Sequence, residues 1–238
     1  MAKVTKLSGF PEWLPEGRIA ELRVLDTARR VFELHGFGSL ETRSVEPVEQ
    51  IFGERVYMHQ FKINGKQAFD GDVWQWHQDF GTWHRDDGMP QARSMNVAIF
   101  LDEVNEFNGP LLFIPGSHKH GAIDARHDLT TTSYPLWTID NATIGKLVAR
   151  GGIVAPKGAP GSMLLFHSCL VHGSPSNMSP WNRTIVYLSL CAVSNHIRQF
   201  KRPDYIAHRD FTPIRALPDD CLTNPSVRVT ELPLACTA

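Results

Sequence analysis

Residues Val73 to Phe80 read Val-Trp-Gln-Trp-His-Gln-Asp-Phe, so that aromatic or apolar side chains alternate with polar ones. A period of two is typical of a β-strand, and on one strand His77 and Asp79 would share a face about 7 Å apart along the chain. Two ligands on one face can hold the same metal ion. The segment therefore predicts a strand that carries two ligands of a metal site.

The same His-x-Asp spacing occurs twice more, at His84 and Asp86 and at His208 and Asp210. The first pair leads into a turn-rich segment, residues 87–90, which holds side-chain alternation poorly. The second pair lies in a charged segment with no later histidine to complete a site. We therefore favour His77 and Asp79 over both competitors.

A third ligand and an anion anchor follow downstream. An apolar predicted strand from Met163 leads to His172, and after a loop of Pro, Ser and Asn residues Arg183 opens another predicted strand. We expect antiparallel pairing of these strands to bring Arg183 near His172. A guanidinium can bind a carboxylate through two parallel hydrogen bonds. The alternative for Arg183 is a solvated strand end.

Two imidazoles and one carboxylate form a facial triad, which holds ferrous iron and leaves coordination positions open for a co-substrate and dioxygen. With Arg183 as anchor for a 2-oxo acid, these residues predict an oxygenase. Two His and one carboxylate also bind zinc, so a zinc hydrolase is an alternative. A zinc enzyme would not need the arginine.

Several ordered motifs carry a family resemblance. Trp76-His77-Gln78-Asp79, the turns 108–111 and 114–118, His172-Gly173-Ser174 and Arg183 resemble the phytanoyl-CoA dioxygenase superfamily of Fe(II)/2-oxoglutarate enzymes. Within it, residues 82–84, 87–90 and 192–195 are most similar to ectoine hydroxylases. The likeness covers about residues 56–212.

The resemblance implies a role for eleven residues. His77, Asp79 and His172 match the Fe(II) ligands, and Arg183, Ser174 and Asn64 match contacts to the co-substrate 2-oxoglutarate. Trp83 and Phe166 match positions that line the substrate pocket. Ile185, Tyr187 and Asn96 stand at substrate-side positions where ectoine hydroxylases resemble Asn, Phe and Ser.

The implied activity is hydroxylation of an unactivated C–H bond with dioxygen, releasing succinate and CO2. The substrate-side departures lead us to expect a small zwitterionic or anionic substrate other than ectoine. The alternatives are ectoine 5-hydroxylation itself, hydroxylation of an amino acid or an organophosphonate, and a cupin-like binding protein without catalysis.

The composition of the chain limits which partners and which cellular compartment we expect. The 238 residues have a net charge of −1, so no strong field favours nucleic acid or an anionic membrane. The four cysteines are too sparse for a disulfide scaffold, and neither a signal peptide nor a long apolar segment is evident. We expect a cytoplasmic protein whose partner is a small molecule, and the oligomeric state stays open.

Short strands separated by turns predict a mainly β fold, a double-stranded jelly roll of the cupin type with flanking helices, formed by a single domain over residues 1–238. The strands are predicted at 56–63, 73–80, 93–104, 111–114, 163–166 and 184–192. An amphipathic helix at 15–36 within an N-terminal cover of residues 1–55, and an active-site lid or a plain insertion at 121–161, complete the prediction. His118 and His120 are expected in a structural loop.

Overall fold

The computed structural model describes residues 45–130 and 135–215, and these residues form three α-helices and nine β-strands. The helices are α1 (Val45–Phe52), α2 (Asp79–Asp87) and α3 (Asn141–Gly151). The strands are β1 (Val56–Lys66), β2 (Trp74–His77), β3 (Ser94–Phe100), β4 (Leu112–Phe113), β5 (Arg126–Asp128), β6 (Leu136–Thr138), β7 (Met163–His167), β8 (His172–Ser174) and β9 (Arg183–Ala192).

The strands form two sheets in which each neighbouring pair is antiparallel. One sheet has the order β1-β9-β3-β7, and the other has the order β4-β8-β2-β6-β5. Apolar side chains of β3, β7 and β9 meet those of β4 and its neighbouring loop in a shared core, which includes Phe100, Phe113, Phe166 and Ile185. The prediction of a mainly β jelly roll is confirmed.

Helices cover the outer faces of both sheets. Val48 of α1 packs with Val97 and Leu190 on the outside of the four-stranded sheet. Ile144 and Leu147 of α3 pack against the five-stranded sheet. None of the three helices in the described ranges has the length and apolar character that crossing a bilayer requires.

The prediction of a continuous strand from Val73 to Phe80 is wrong. Strand β2 ends at His77, Gln78 is still extended, and Asp79 is the first residue of α2. An acidic residue in the first turn is stabilised by the unpaired N–H groups and the dipole of the helix, which favours a helix start at this point. His77 and Asp79 are therefore not on one strand face.

The predicted pairing of the His172 and Arg183 strands is also wrong. After β7 the chain reverses in a turn that the Leu170 N–H closes on the His167 carbonyl, at 2.8 Å. The chain then enters the other sheet, where β8 pairs with β2 and β4. Strand β9 instead lies between β1 and β3. His172 and Arg183 thus approach the interior from opposite sheets.

Residues 121–161 contain more regular structure than their sequence pattern predicts. Strands β5 and β6 pair with each other and join the edge of the five-stranded sheet, and α3 follows. Asp140 caps α3 by accepting a hydrogen bond from the Thr143 N–H at 2.9 Å. The predicted helix at 15–36 lies outside the described residues.

Candidate active site

His77 and His172 face each other across neighbouring strands. They are register partners on β2 and β8, and their ring centroids are 4.2 Å apart. The Nδ1 atom of His77 lies 2.6 Å from the Gln75 carbonyl oxygen, and that of His172 lies 2.9 Å from the Leu170 carbonyl oxygen. A carbonyl can only accept, so each Nδ1 carries the proton and each Nε2 lone pair is left for a metal.

Asp79 completes the cluster from the start of α2. Its Oδ1 lies 4.0 Å from His77 Nε2, and its Oδ2 lies 3.5 Å from His172 Nε2. All three side chains are buried, with their ligand atoms within 4.8 Å of one another. Among the described residues, His84 and His208 belong to no group of three potential ligands this close together.

The electrostatics of the cluster suit a cation. Burial, together with the neighbouring His172, lowers the pKa of His77 to about 3, and burial also lowers the pKa of His172. Burial alone would raise the pKa of Asp79, but Lys62, the two histidines and a hydrogen bond hold it below its usual range. At neutral pH the cluster therefore offers two neutral imidazoles and one carboxylate, the forms that bind metals.

Asn96 orients the carboxylate instead of lining the substrate cavity. Its side-chain amide donates to Asp79 Oδ2 at 2.7 Å, and its oxygen accepts from the Ser189 hydroxyl at 2.7 Å. All three residues are buried, and Asn96 is not among the residues that line the cavity. The prediction of a substrate contact at Asn96 is therefore corrected to a support behind the metal ligand.

Phe166 and Ile185 also lie away from the cavity. Both belong to the core between the sheets, and the Phe166 ring lies 5.2 Å from that of His172 in an edge-on contact. Neither is among the residues that line the cavity. In the structure Phe166 packs against a histidine and Ile185 fills the core, and a substrate contact at either residue stays a prediction.

The cluster opens into a cavity of about 420 Å³, which is within the usual range for small-molecule sites. His77, Asp79 and His172 lie in its wall, together with the predicted residues Asn64, Trp83, Ser174 and Tyr187. Sequence reasoning missed four further polar wall residues, namely Gln60, Lys62, Thr82 and Arg202. Gln60 and Lys62 alternate along β1 on the same face as Asn64, so the pattern of this strand is a signal that could have identified these two.

Lys62 brings a positive charge close to the cluster. Its Nζ lies 3.6 Å from Asp79 Oδ1 and 5.2 Å from the centroid of the Tyr187 ring. At the far wall, Arg202 forms two hydrogen bonds to the buried carboxylate of Asp87. Of the described residues in the cavity wall, Asp79 is the one carboxylate beside the cations Lys62 and Arg202, and Arg202 is paired with Asp87.

Arg183 is a fully buried cation behind this wall. Its guanidinium donates to the Gly109 carbonyl through Nε at 3.1 Å and Nη2 at 2.9 Å, and to Asn64 Oδ1 through Nη1 at 2.9 Å. It also contacts the Tyr187 hydroxyl. Within the described residues it forms no salt bridge, and burial lowers its pKa. A buried cation without a carboxylate partner is costly, and that cost falls when an anion binds beside it.

The chain resembles proteins that carry out iron-dependent oxidations. The model of the family "Phytanoyl-CoA dioxygenase (PhyH)" matches residues 16–185. The ectoine dioxygenase of Nocardia farcinica is 34% identical over 232 residues, which are 90% of this chain and 77% of that protein. The L-proline trans-4-hydroxylase of Streptomyces griseoviridis is 35% identical over 178 residues, 70% of this chain and 66% of the relative.

Solved structures agree with the sequence relatives. EctD from S. alaskensis with bound Fe superimposes with a TM-score of 0.64 at 35% identity, over 74% of this chain and 60% of that one. Its complex with 2-oxoglutarate and 5-hydroxyectoine gives 0.61 at 35% identity, over 73% and 58%. The chain thus spans about three fifths of the solved relatives. From its sequence and its fold, this chain belongs to the phytanoyl-CoA dioxygenase family.

Proposed function

We propose that this chain is an Fe(II)- and 2-oxoglutarate-dependent hydroxylase of a small carboxylate-bearing metabolite. The observation that carries the proposal is the convergence of His77, Asp79 and His172 on one wall of a 420 Å³ cavity. The geometry fits the facial triad, which leaves several coordination positions open. The relatives named ectoine dioxygenase and L-proline trans-4-hydroxylase support the same reaction class.

His77 Nε2, His172 Nε2 and the Asp79 carboxylate would hold the iron. Iron with bound 2-oxoglutarate supplies the activation of dioxygen and the hydroxylation of a C–H bond, with release of succinate and CO2. The carbonyl oxygens of Gln75 and Leu170 fix the two imidazole tautomers, and Asn96 fixes the carboxylate. These contacts keep the three ligand atoms on one side, which reserves the cavity side for the reactants.

Arg183, Ser174 and Asn64 would bind the distal carboxylate of 2-oxoglutarate. Ser174 and Asn64 line the cavity, and Asn64 Oδ1 holds the guanidinium directly behind them. The carboxylate would supply the negative charge that Arg183 lacks among the described residues. A charge-assisted contact of this kind at a buried site is shorter and stronger than a neutral hydrogen bond.

The substrate would occupy the part of the cavity between the metal cluster and Arg202. Lys62 and Arg202 favour a carboxylate or another small anionic group, while Thr82 presents a buried hydroxyl with no hydrogen-bond partner among the described residues. The rings of Trp83 and Tyr187 suit the cationic end of a zwitterion. We therefore propose a small zwitterion, such as a cyclic amino acid, as the substrate class.

Tyr187 carries the case against ectoine. It lines the cavity, its hydroxyl contacts Arg183, and burial raises its pKa to about 12, so it stays a neutral hydrogen-bond donor. An apolar ring at this position would offer no such group. A site with an additional polar group favours substrates that offer it a hydrogen-bond partner and disfavours substrates that do not. Ile185 offers no polar group and is not among the residues that line the cavity, so it adds no hydrogen bond to this selectivity.

The cavity suits a small-molecule partner. The net charge of −1 gives the chain no strong attraction to nucleic acid or an anionic membrane. A single catalytic domain and a cytoplasmic location remain predictions from the sequence. A zinc hydrolase and a non-catalytic binding protein are the competing functions. Neither accounts for a buried arginine that contacts Asn64 of the cavity wall and forms no salt bridge among the described residues.

The test is substrate-dependent formation of succinate. The full chain, loaded with Fe(II), is incubated with 2-oxoglutarate and ectoine, L-proline, L-lysine or small phosphonates. We expect one zwitterion to stimulate succinate formation well above the uncoupled rate, and ectoine to stimulate it weakly or not at all. Efficient turnover of ectoine would contradict the proposed selectivity, and absence of succinate with every compound and with 2-oxoglutarate alone would contradict the reaction class.

A further inference from the structure

Lys66 is a buried lysine that the proposed reaction does not use. It is the last residue of β1, only 2% exposed, and it is the register partner of Arg183 on β9. Its Nζ donates to the backbone carbonyls of Asp72 and Pro175. Neither Lys66 nor Arg183 forms a salt bridge within the described residues, and neither is among the residues that line the cavity, so two buried basic residues lie side by side on β1 and β9.

The side chain of Lys66 touches the supports of Arg183. A Cβ added at Gly109 would lie 2.7 Å from Lys66 Cδ and 2.9 Å from the Pro175 carbonyl oxygen, so the lysine stem fills the space that glycine leaves. The Gly109 carbonyl accepts two hydrogen bonds from Arg183. Lys66 therefore packs directly against the backbone unit that orients the guanidinium.

The other two proposed co-substrate contacts are tied to the same lysine. Ser174 immediately precedes Pro175, whose carbonyl accepts from Lys66 Nζ at 2.5 Å. Asn64 lies two residues before Lys66 on β1, on the same inward face. The backbone around Lys66 is itself fixed, because the Asn177 amide donates to the Lys66 and Gln67 carbonyls.

We propose that Lys66 is a positioning residue for the co-substrate, holding Arg183, Ser174 and Asn64 in one arrangement. The inference deepens the proposed function and rests on it. Lys66 acts through these neighbours and need not touch 2-oxoglutarate.

The electrostatics support this role. Burial, with the Arg183 charge as the second cause, lowers the pKa of Lys66 to about 7. The lysine thus bears a desolvation cost, which the charge of Asp72 offsets in part. A group that served stability alone would be better replaced by an apolar side chain of similar shape. Holding Arg183 in place for an anionic co-substrate would give the buried lysine a function.

The test separates binding from folding with Lys66→Met, which keeps the stem and removes the charged head. The affinity for 2-oxoglutarate is measured anaerobically by equilibrium dialysis of Fe(II)-loaded protein, and Tm is measured without co-substrate. We expect Tm to stay the same or rise, iron affinity to stay unchanged, and Kd for 2-oxoglutarate to increase about tenfold or more. Lys157→Met, at an exposed lysine paired with Glu106, is the matched control and should change none of these values.

Two further variants keep the test decisive. Lys66→Gln retains a donor and should give a Kd between wild type and Lys66→Met. In an Arg183→Met background, Lys66→Met should add little to the loss of affinity, because the lysine acts through that arginine.

The outcomes distinguish the two claims. If wild-type protein fails to bind 2-oxoglutarate, the proposed function fails. If wild type binds it and Lys66→Met binds equally well, the positioning role fails. Lys66 would be purely structural if Lys66→Met and Lys66→Gln both lowered Tm and weakened iron binding and 2-oxoglutarate binding equally. That result would also overturn the inference.

Discussion

The metal ligands are the residues whose replacement has the simplest expected outcome. His77→Ala and Asp79→Ala should abolish turnover while the fold is retained, because each change removes one of three protein ligands from the same face. Far-UV circular dichroism checks the fold, and anaerobic iron titration checks the binding. His84→Ala and His208→Ala should leave iron binding in place. Iron loss from His84→Ala with binding intact in His77→Ala would mean that the metal is held elsewhere.

Asn96 should tune the metal site without being a ligand. In Asn96→Ala the Asp79 carboxylate loses its 2.7 Å donor, and loss of such an outer support typically lowers metal affinity about 10- to 100-fold. Titration with Fe(II) or Mn(II) measures the change. Ser189→Ala removes only the group that orients Asn96 and should have a smaller effect. An unchanged affinity in Asn96→Ala would show that Asp79 needs no support.

At the level of single residues, the sequence identifies the ligands well and the cavity wall poorly. His77, Asp79 and His172 stand out because their residue types and order match a metal site. Arg202 has no such signal, since it is brought to the cavity by a segment without regular structure. Phe166, Ile185 and Tyr187 belong to one core cluster, but of these three Tyr187 alone lines the cavity, and a match to a family position does not specify how far a side chain reaches.

Strands β2 and β8 must lie close together for the two histidines to meet, and Gly173 permits this. A Cβ at Gly173 would lie 2.8 Å from the Trp74 carbonyl oxygen, a backbone atom of β2. Gly173→Ala should therefore push the strands apart, lower the free energy of unfolding by about 1–3 kcal/mol and weaken iron binding. Chemical denaturation and iron titration measure both effects.

Gly145→Ala is the control for that substitution. Gly145 lies inside α3, where an added Cβ meets no atom within 4 Å. Alanine in a helix interior is favoured over glycine by about 0.5–1 kcal/mol, so this variant should be more stable than wild type and bind iron normally. If Gly173→Ala and Gly145→Ala had the same stability and the same iron affinity, Gly173 would not be required for the close approach of β2 and β8.

At the level of elements, most strands could be predicted but their partners could not. Six predicted strands overlap observed ones, because alternation and turn residues are local signals. The pairing of β8 with β2 and of β9 with β1 and β3 depends on which sheet the chain enters after the turn at 168–171. The helix that starts at Asp79 was missed because the alternation of apolar and polar side chains continues past His77, where the strand ends.

For the whole molecule, burial of His59 predicts an acid-sensitive fold. Burial, and then the charge of Arg202, lowers the pKa of His59 to about 3, and neither ring nitrogen has a hydrogen-bond partner in the part of the chain that the structure describes. Between pH 3 and the ordinary histidine value of about 6.5, the unfolded chain binds a proton that the native protein does not. Stability should therefore rise with pH in this window, by up to about 1.4 kcal/mol per pH unit from this residue.

The variant that checks this prediction is His59→Phe, which keeps an aromatic ring beside Trp83 and cannot be protonated. Urea denaturation of metal-free protein at several pH values between 4.5 and 6.5 gives the slope of stability against pH. The variant should show a shallower slope than wild type. Identical slopes would mean that His59 is already accessible to protons in the native state.

We infer that His77, Asp79 and His172 hold ferrous iron in a form that 2-oxoglutarate can chelate. Anaerobic addition of Fe(II), followed by 2-oxoglutarate, to the full chain is the decisive experiment. We expect a visible charge-transfer absorption band that saturates at one iron per chain and is absent from Asp79→Ala. A colourless wild-type protein that binds iron, or a band that persists in Asp79→Ala, would contradict it.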